Sequence, residues 1–142
     1  MRSVKQKQKD LINNLKENGF KITQLSKSPL LFSINDKVVN VKTKLDFKTD
    51  KHGKKFWFGV YKNILKRYEY TLIQMVDNNS FLFINSKFLL ENWNNFYSKS
   101  ESNTYRTFMI EWDSLELVAN KSLDVNNYYC NIKEKTGIIF KL

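Results

Sequence analysis

The sequence predicts one α/β (α+β) domain with a central mixed β-sheet, an N-terminal helix and a second helix. Three observations support this: helical spacing of apolar residues near the N-terminus, strict alternation from Val39, and aromatic runs from Phe56 onward. At 142 residues the chain can bury a sizeable core. We expect a single domain over 1–142, with a core at about 4–97 and a C-terminal β extension at about 104–142.

The first element is a helix over about residues 4–18. Ser3 and Gln6 form a capping-box pattern, apolar residues recur at helical spacing as far as Leu15, and Gly19 is a natural stop. The alternation from Phe20 to Leu25 then predicts a short strand.

A hairpin over residues 30–48 organises the rest of the prediction. Apolar runs flank Asn35-Asp36, residues that tolerate turn geometry. From Val39 the second strand alternates, and two faces are expected. One face carries Val39, Val41, Thr43, Leu45 and Phe47; the other carries Asn40, Lys42, Lys44, Asp46 and Lys48. Three of the five residues in the second row are lysines, so we expect this row to face solvent or a ligand.

The remaining elements follow from alternation and turn signals. They are a polar loop at 48–55, strands at 56–61, 68–76 and 81–84, a short turn-like segment at 62–67, a helix from Asn85-Ser86 to about 97, a hairpin of 107–112 with 115–119, a short segment near 123–129, and a last strand at 137–140.

Charge is unevenly distributed along the chain. The net charge is +10, and residues 1–70 hold 17 Lys and Arg against 6 Asp and Glu, while residues 71–142 hold 7 against 8. Lys outnumbers Arg 21 to 3 and Asn occurs 17 times, as AT-rich codon usage favours. Codon usage acts on both halves and does not explain the asymmetry. A basic half on a neutral scaffold indicates a polyanionic partner, nucleic acid before membrane.

Cysteine and histidine content excludes several site classes. The single Cys130 excludes a disulfide framework and a cysteine metal site, and the lone His52 excludes a histidine-rich metal site. We expect Cys130 to be a small core residue and His52 to lie in a loop. With no transmembrane run or signal peptide, a cytoplasmic, intracellular protein of a bacterium or phage is expected.

The order helix, strand, hairpin, strand, strand, helix resembles the core of the PD-(D/E)XK nuclease-like superfamily, which includes restriction enzymes and junction resolvases. The residues that carry the resemblance are Pro29 at the hairpin mouth, the strand Asn40-Val41-Lys42-Thr43 and the aromatic strand 56–60. It implies a restriction-endonuclease-like fold over residues 4–97.

The resemblance also implies a site in which two carboxylates and a lysine converge on divalent ions that activate water. Leu30 follows Pro29, Asn40 stands at the second acidic position, and Lys42 alone is retained. Since Mg²⁺ needs anionic oxygen ligands, this alignment predicts an inactive site without a cofactor.

A second alignment stays open. Asp46-Phe47-Lys48 is itself a D-x-K sequence, with Asp36 ten residues earlier and Glu17 on the first helix. Asp46 and Lys48 are then the candidate catalytic residues, with Mg²⁺ as the cofactor of an active DNA endonuclease. A surface ion pair is the simpler interpretation of these two residues.

The predicted function is nucleic-acid binding, DNA in preference to RNA, by a degenerate nuclease-like protein. The predicted contact residues are Asn40, Lys42, Lys44, Lys48, Lys51, Lys54 and Lys55, which would neutralise a phosphate backbone. The alternatives are the active endonuclease, a structural RNA-binding protein, and a subunit or inhibitor in a defence or nucleoprotein complex that uses the aromatic C-terminal half.

Overall fold

Two β-sheets and three α-helices are formed by the residues that the computed structural model describes, which are 3–44, 48–50, 53–75, 77–98 and 103–142. The helices are α1 (Val4–Glu17), α2 (Lys62–Leu65) and α3 (Ser86–Glu91). The strands are β1 (Ile22–Lys27), β2 (Leu30–Ile34), β3 (Lys37–Thr43), β4 (Lys48–Asp50), β5 (Gly53–Tyr61), β6 (Tyr70–Gln74), β7 (Ser80–Asn85), β8 (Tyr105–Glu111), β9 (Glu116–Val118), β10 (Leu123–Asp124) and β11 (Tyr129–Asn131). The predicted α+β class is confirmed.

Sheet 1 has six strands in the order β1-β2-β3-β6-β7-β11. Its β3–β6 pair is parallel and its other pairs are antiparallel, so the predicted mixed sheet is confirmed. Sheet 2 has five antiparallel strands in the order β10-β9-β8-β5-β4. The C-terminal residues therefore supply strands to both sheets.

The layers are stacked in the order α1, sheet 1, sheet 2. One face of sheet 1 packs against α1 and the C-terminal turn, where Leu11 and Leu15 meet Val39, Val41 and Leu72. The opposite face packs against the inner face of sheet 2 in a second cluster, with Phe56, Phe58 and Phe108 from sheet 2. No described helix or second sheet packs on the outer face of sheet 2, where Trp57 and Tyr61 are half exposed.

Helix α1 begins and ends as its sequence predicts. Ser3 Oγ accepts a hydrogen bond from the backbone N–H of Gln6, and Gly19, at φ 93°, ends the helix in a left-handed conformation. The fully buried Gln74 donates to the carbonyl oxygens of Lys7 and Asp77, at 3.3 and 3.1 Å. This amide fixes α1 against the turn between β6 and β7.

The β2–β3 hairpin turns at Asn35-Asp36, which is confirmed. Both residues have positive φ, 47° and 69°, as a two-residue type I′ turn requires. Asn35 also accepts a hydrogen bond from the backbone N–H of Lys21 at 2.9 Å. The turn is therefore tied to the segment between α1 and β1.

The predicted continuation of the second hairpin strand to Lys48 is wrong. Strand β3 ends at Thr43, the N–H of Lys44 still donates to the Gln74 carbonyl at 3.0 Å, and Lys48 begins β4 in the other sheet. Alternation in sequence continues across this change of sheet and does not reveal it. Leu45, Asp46 and Phe47 lie outside the described residues.

The predicted loop at 48–55 is also wrong. Residues 48–50 pair with 53–55 as the β4–β5 hairpin, which forms one edge of sheet 2. A lysine-rich sequence is typical of an edge strand, where charge opposes association with other strands. Lys51 and His52 lie outside the described residues.

Three further elements differ from their predictions. The helix predicted at 86–97 ends at Glu91 and is followed by a 3-10 turn, Trp93–Asn95. The turn-like segment predicted at 62–67 contains the helix α2. The predicted last strand is a 3-10 turn, Ile138–Lys141, which buries Ile139. Short apolar runs do not distinguish strands from helical turns. None of the helices in the described ranges has the length and apolar composition needed to cross a lipid bilayer.

Candidate functional site

A groove of about 680 Å³ lies between α1 and the β1–β2 pair. It is open to solvent on the side of sheet 1 that faces away from sheet 2. We refer to it as the basic groove. Its lining residues are Val4, Lys5, Gln8, Lys9, Ile12, Asn13 and Lys16 from α1, Gln24 and Lys27 from β1, and Leu30 and Phe32 from β2.

The helical wall of the basic groove is a single stripe of α1. Lys5, Lys9, Ile12 and Lys16 follow one another at spacings of four, three and four residues, so they lie along one face. At 1.5 Å per residue, Lys5 and Lys16 are about 17 Å apart along the helix axis. The buried Ile12 anchors this stripe to sheet 1.

The opposite wall is the outer edge of sheet 1. Strand β1 is the terminal strand of that sheet, and most of its residues are exposed. Its register with β2 shifts between Gln24 and Ser26, which is a β-bulge. Lys27, paired with Leu30, therefore stands at the groove end near the Ser28-Pro29 turn.

The basic groove carries one sign of charge. Four lysines line it, and among the described residues at its surface there is no carboxylate. Of the acids on α1, Asp10 accepts a hydrogen bond from the Gln6 side chain at 2.9 Å, and neither Asp10 nor Glu17 belongs to the lining. Converging lysines without a carboxylate attract a polyanion.

The predicted polar row of β3 faces the protein interior. Asn40 is 4% exposed, and its amide donates to the Leu30 carbonyl at 2.9 Å. Asn40 and Lys42 are in register with Thr71 and Ile73 of β6, on the face of sheet 1 that meets sheet 2. The expectation of a solvent-exposed row is therefore wrong, because the second sheet covers the face that alternation alone assigns to solvent.

Lys42 and Lys44 lie where the two sheets meet. Burial lowers the pKa of Lys42, and the nearby positive charge of Lys44 lowers it further. The Lys44 ammonium is exposed and lies 5.9 Å from the centre of the Phe58 ring in sheet 2. The two positive charges therefore repel each other, and Lys42 is the one that burial desolvates.

The positions at which the resemblance expects two carboxylates do not converge. Leu31 is in register with Asn40, so Leu30 and Asn40 point to opposite faces of sheet 1. Leu30 lines the basic groove, whereas Asn40 faces sheet 2. Asn40 and Lys42 remain on one face, with Leu30 on the other.

The lysines of the β4–β5 hairpin are divided between two faces and lie near acids. Lys55 is in register with Glu111, and the backbone N–H of Lys54 donates to the Asp113 carboxylate at 3.2 Å. Lys48 is in register with Lys55, but its side chain, like Asp46 and Lys51, is outside the described part of the chain. Because Glu111 and Asp113 lie beside Lys55 and Lys54, the surface of this hairpin is less uniformly basic than its lysine-rich sequence indicates.

The candidate acids and the cysteine have these positions. Asp36 lies in the β2–β3 turn, and Glu17 ends α1. Within 3–44, 48–50, 53–75, 77–98 and 103–142, no three His, Cys, Asp or Glu side chains are grouped as metal ligands. Cys130 is fully buried, and burial raises the pKa of its thiol to about 11.

The basic groove was missed by sequence reasoning, although its helical half has a clear signal. Lysines at positions 5, 9 and 16 fall on one helical stripe beside Ile12, a pattern visible in the sequence. The contribution of Lys27 depends on β1 pairing next to α1, and no local pattern reports that.

Comparison with known proteins gives little further information. No protein-family model matches the chain, and no curated protein matches it. Among solved structures the chain is similar to a crystal structure of MepB, with a TM-score of 0.45 and 13% identical residues, over 87% of this chain and 95% of that chain.

Proposed function

We propose that this protein binds nucleic acid through the basic groove and does not cleave it, with duplex DNA as the preferred polymer. The observation that carries the proposal is the lining of the groove: four lysines from two elements, and no carboxylate among the described lining residues. The excess of positive charge in residues 1–70 agrees with this location. The preference for DNA follows from the resemblance to nucleases.

The physical basis of binding is charge neutralisation of the phosphate backbone. The stripe from Lys5 to Lys16 spans about 17 Å, which is about five phosphates of one strand along a duplex axis. Lys27 on the opposite wall reaches the same backbone from the side. Each lysine–phosphate contact releases condensed counterions, so affinity falls steeply as salt rises.

Uncharged groups in the groove would position the polymer. The amides of Gln8, Asn13 and Gln24 donate hydrogen bonds to phosphate and sugar oxygens, which fixes register without reading sequence. The apolar floor of Leu30 and Phe32 fits the sugar faces. Binding by this groove is therefore expected to be largely independent of base sequence.

The absence of cleavage follows from the residues at the nuclease positions. Leu30 and Asn40 replace two carboxylates and point to opposite faces of sheet 1. Lys42 remains, but a lysine without anionic ligands does not hold Mg²⁺. The proposal is therefore binding without hydrolysis.

A polymer panel tests this function. Labelled duplex DNA, single-stranded DNA and structured RNA are incubated with the protein at two salt concentrations, with Mg²⁺, Mn²⁺ or EDTA. The expected result is a salt-sensitive shift, strongest for duplex DNA, with intact polymer in every lane. Metal-dependent cleavage lost in Asp46→Asn would instead establish the active endonuclease, and a stronger shift with RNA would establish an RNA-binding protein.

A further inference from the structure

The outer face of sheet 2 combines exposed aromatic rings with an ordered row of charge. Trp57 and Tyr61 are 52% and 53% exposed, although strand neighbours Phe56, Phe58 and Val60 are buried. We refer to this surface as the aromatic face. Its described outward positions are Lys55, Trp57, Gly59 and Tyr61 of β5; Tyr105, Thr107, Met109 and Glu111 of β8; Glu116 and Val118 of β9; and Asp124 of β10.

The aromatic part consists of two pairs of rings. The Trp57 ring lies 5.7 Å from the Tyr97 ring, and the Tyr61 and Tyr105 rings lie 4.7 Å apart. Trp57 is in register with Met109, and Met109 with Val118. Exposed Trp and Tyr grouped around apolar side chains are typical of the centre of a protein interface.

The charge row divides into a basic side and an acidic side. Across the sheet, the residues in register are Lys55, Glu111, Glu116 and Asp124. The change of sign falls between β5 and β8. Three acids on the row also disfavour a polyanion as the ligand of this face.

We propose that the aromatic face binds a second copy of the same chain in a two-fold symmetric dimer. The symmetry axis lies in the interface, parallel to the strands and midway between β5 and β8. A rotation about this axis exchanges the β5 and β8 positions at each level along the strands. Lys55 then faces the partner's Glu111, and Glu111 faces the partner's Lys55.

The same operation matches the charge row and one aromatic position. The two symmetric contacts between Lys55 and Glu111 make the charge row complementary to itself at its centre. Trp57 faces the partner's Met109, which is a favourable sulfur–aromatic contact. The Tyr105 ring lies over Gly59 and Thr107 is buried, so neither of these two residues contacts the partner.

The size of the face sets the expected strength of the dimer. Strand β5 has nine residues and β8 has seven, but β4, β9 and β10 have three, three and two, so at about 3.4 Å per residue and about 4.8 Å between strands the face covers roughly 400 Å². Specific interfaces bury about 800 Å² per partner. We therefore expect a concentration-dependent dimer with a dissociation constant of roughly micromolar size.

Charge exchange tests this dimer. Sedimentation velocity of the full chain, from about 1 to about 200 μM, measures the dissociation constant. The variants are Lys55→Glu, Glu111→Lys and the combined exchange of both. Each single reversal places like charges at two symmetric contacts and is expected to weaken the dimer about tenfold or more. The combined exchange restores complementarity within and between chains, and is expected to recover the wild-type constant.

Several outcomes would overturn the proposal. They are a wild-type chain that stays monomeric at every concentration, a dimer unaffected by single reversal, and a combined variant no stronger than the singles. Thermal unfolding of each variant shows whether it folds, and Trp57→Ala supplies an independent loss of the aromatic contact. Nucleic-acid binding by the basic groove is measured in parallel and does not depend on this result.

Discussion

Replacement of groove lysines should reduce both the affinity for DNA and its dependence on salt. If Lys5, Lys9, Lys16 and Lys27 each contact one phosphate, the slope of log affinity against log salt is about −3.6 for duplex DNA. Between about 50 and 200 mM salt, the affinity then falls roughly 150-fold. This is the expectation for the wild-type chain.

The test variant removes one lysine from each wall of the basic groove. In Lys9→Gln/Lys27→Gln, two phosphate contacts remain, so the slope falls to about −1.8 and the same salt change costs roughly 12-fold. Gln has nearly the helix propensity of Lys, so α1 is retained. Fluorescence anisotropy with a labelled duplex at four or more salt concentrations measures the slope.

The matched control removes two lysines of the β4–β5 hairpin. Lys51→Gln/Lys54→Gln leaves the Lys55 dimer contact intact and has the same change in net charge, so any general effect of charge is equal in the two variants. The control slope is expected to stay near −3.6. A slope that falls in the control and not in the groove variant would refute the assignment and restore the hairpin as the contact surface.

Three further changes probe the fold. Burial lowers the pKa of Lys42 below its ordinary value of 10.5. Between the two pKa values the unfolded chain binds more protons than the folded chain, so the free energy of unfolding rises with pH. Lys42→Met should lack this rise in urea unfolding, and a pH dependence identical to that of the wild-type chain would contradict the prediction. Burial raises the pKa of the Cys130 thiol from its ordinary value of 9.0 to about 11, so about a hundredfold less thiolate is present at pH 8. Disulfide reagents should therefore label Cys130 only after unfolding, and rapid labelling of the folded chain would contradict this. Gly137 has φ 110°, and Gly137→Ala would place a Cβ 2.7 Å from the Cys130 Cα, so the free energy of unfolding should fall by about 2 kcal/mol in thermal unfolding. Gly19 has φ 93° with open space around it, so the control Gly19→Ala should lower the free energy of unfolding by about 1 kcal/mol.

Sequence patterns correctly predicted the helix ends and the turn that depend on residues close together in the sequence. The capping of α1 by Ser3, its end at Gly19 and the Asn35-Asp36 turn all depend on residues close in sequence. The alternation of β3 was also correct for Val39 and Val41, which pack under α1. These parts of the fold follow from backbone preferences and side-chain period.

The candidate site was harder to predict, because its character depends on which layer covers which face. Asn40 and Lys42 have the sequence of an exposed row, yet sheet 2 lies over them. Conversely, Lys9 and Lys27 are far apart in sequence, and the packing of α1 beside β1 brings them to one groove. Neither arrangement is encoded within a window of ten residues.

In the proposed dimer, the order of the layers would also set how many DNA segments one assembly holds. The basic groove and the aromatic face lie on opposite sides of the chain, so in the proposed dimer the two α1 helices are at the outer ends. With about 10 Å between layers, they stand roughly 50 Å apart. DNA stiffness persists over about 150 base pairs, so a short fragment does not bend back to occupy both grooves. Such a dimer would link separate segments of DNA, and long molecules would be gathered into loops or networks.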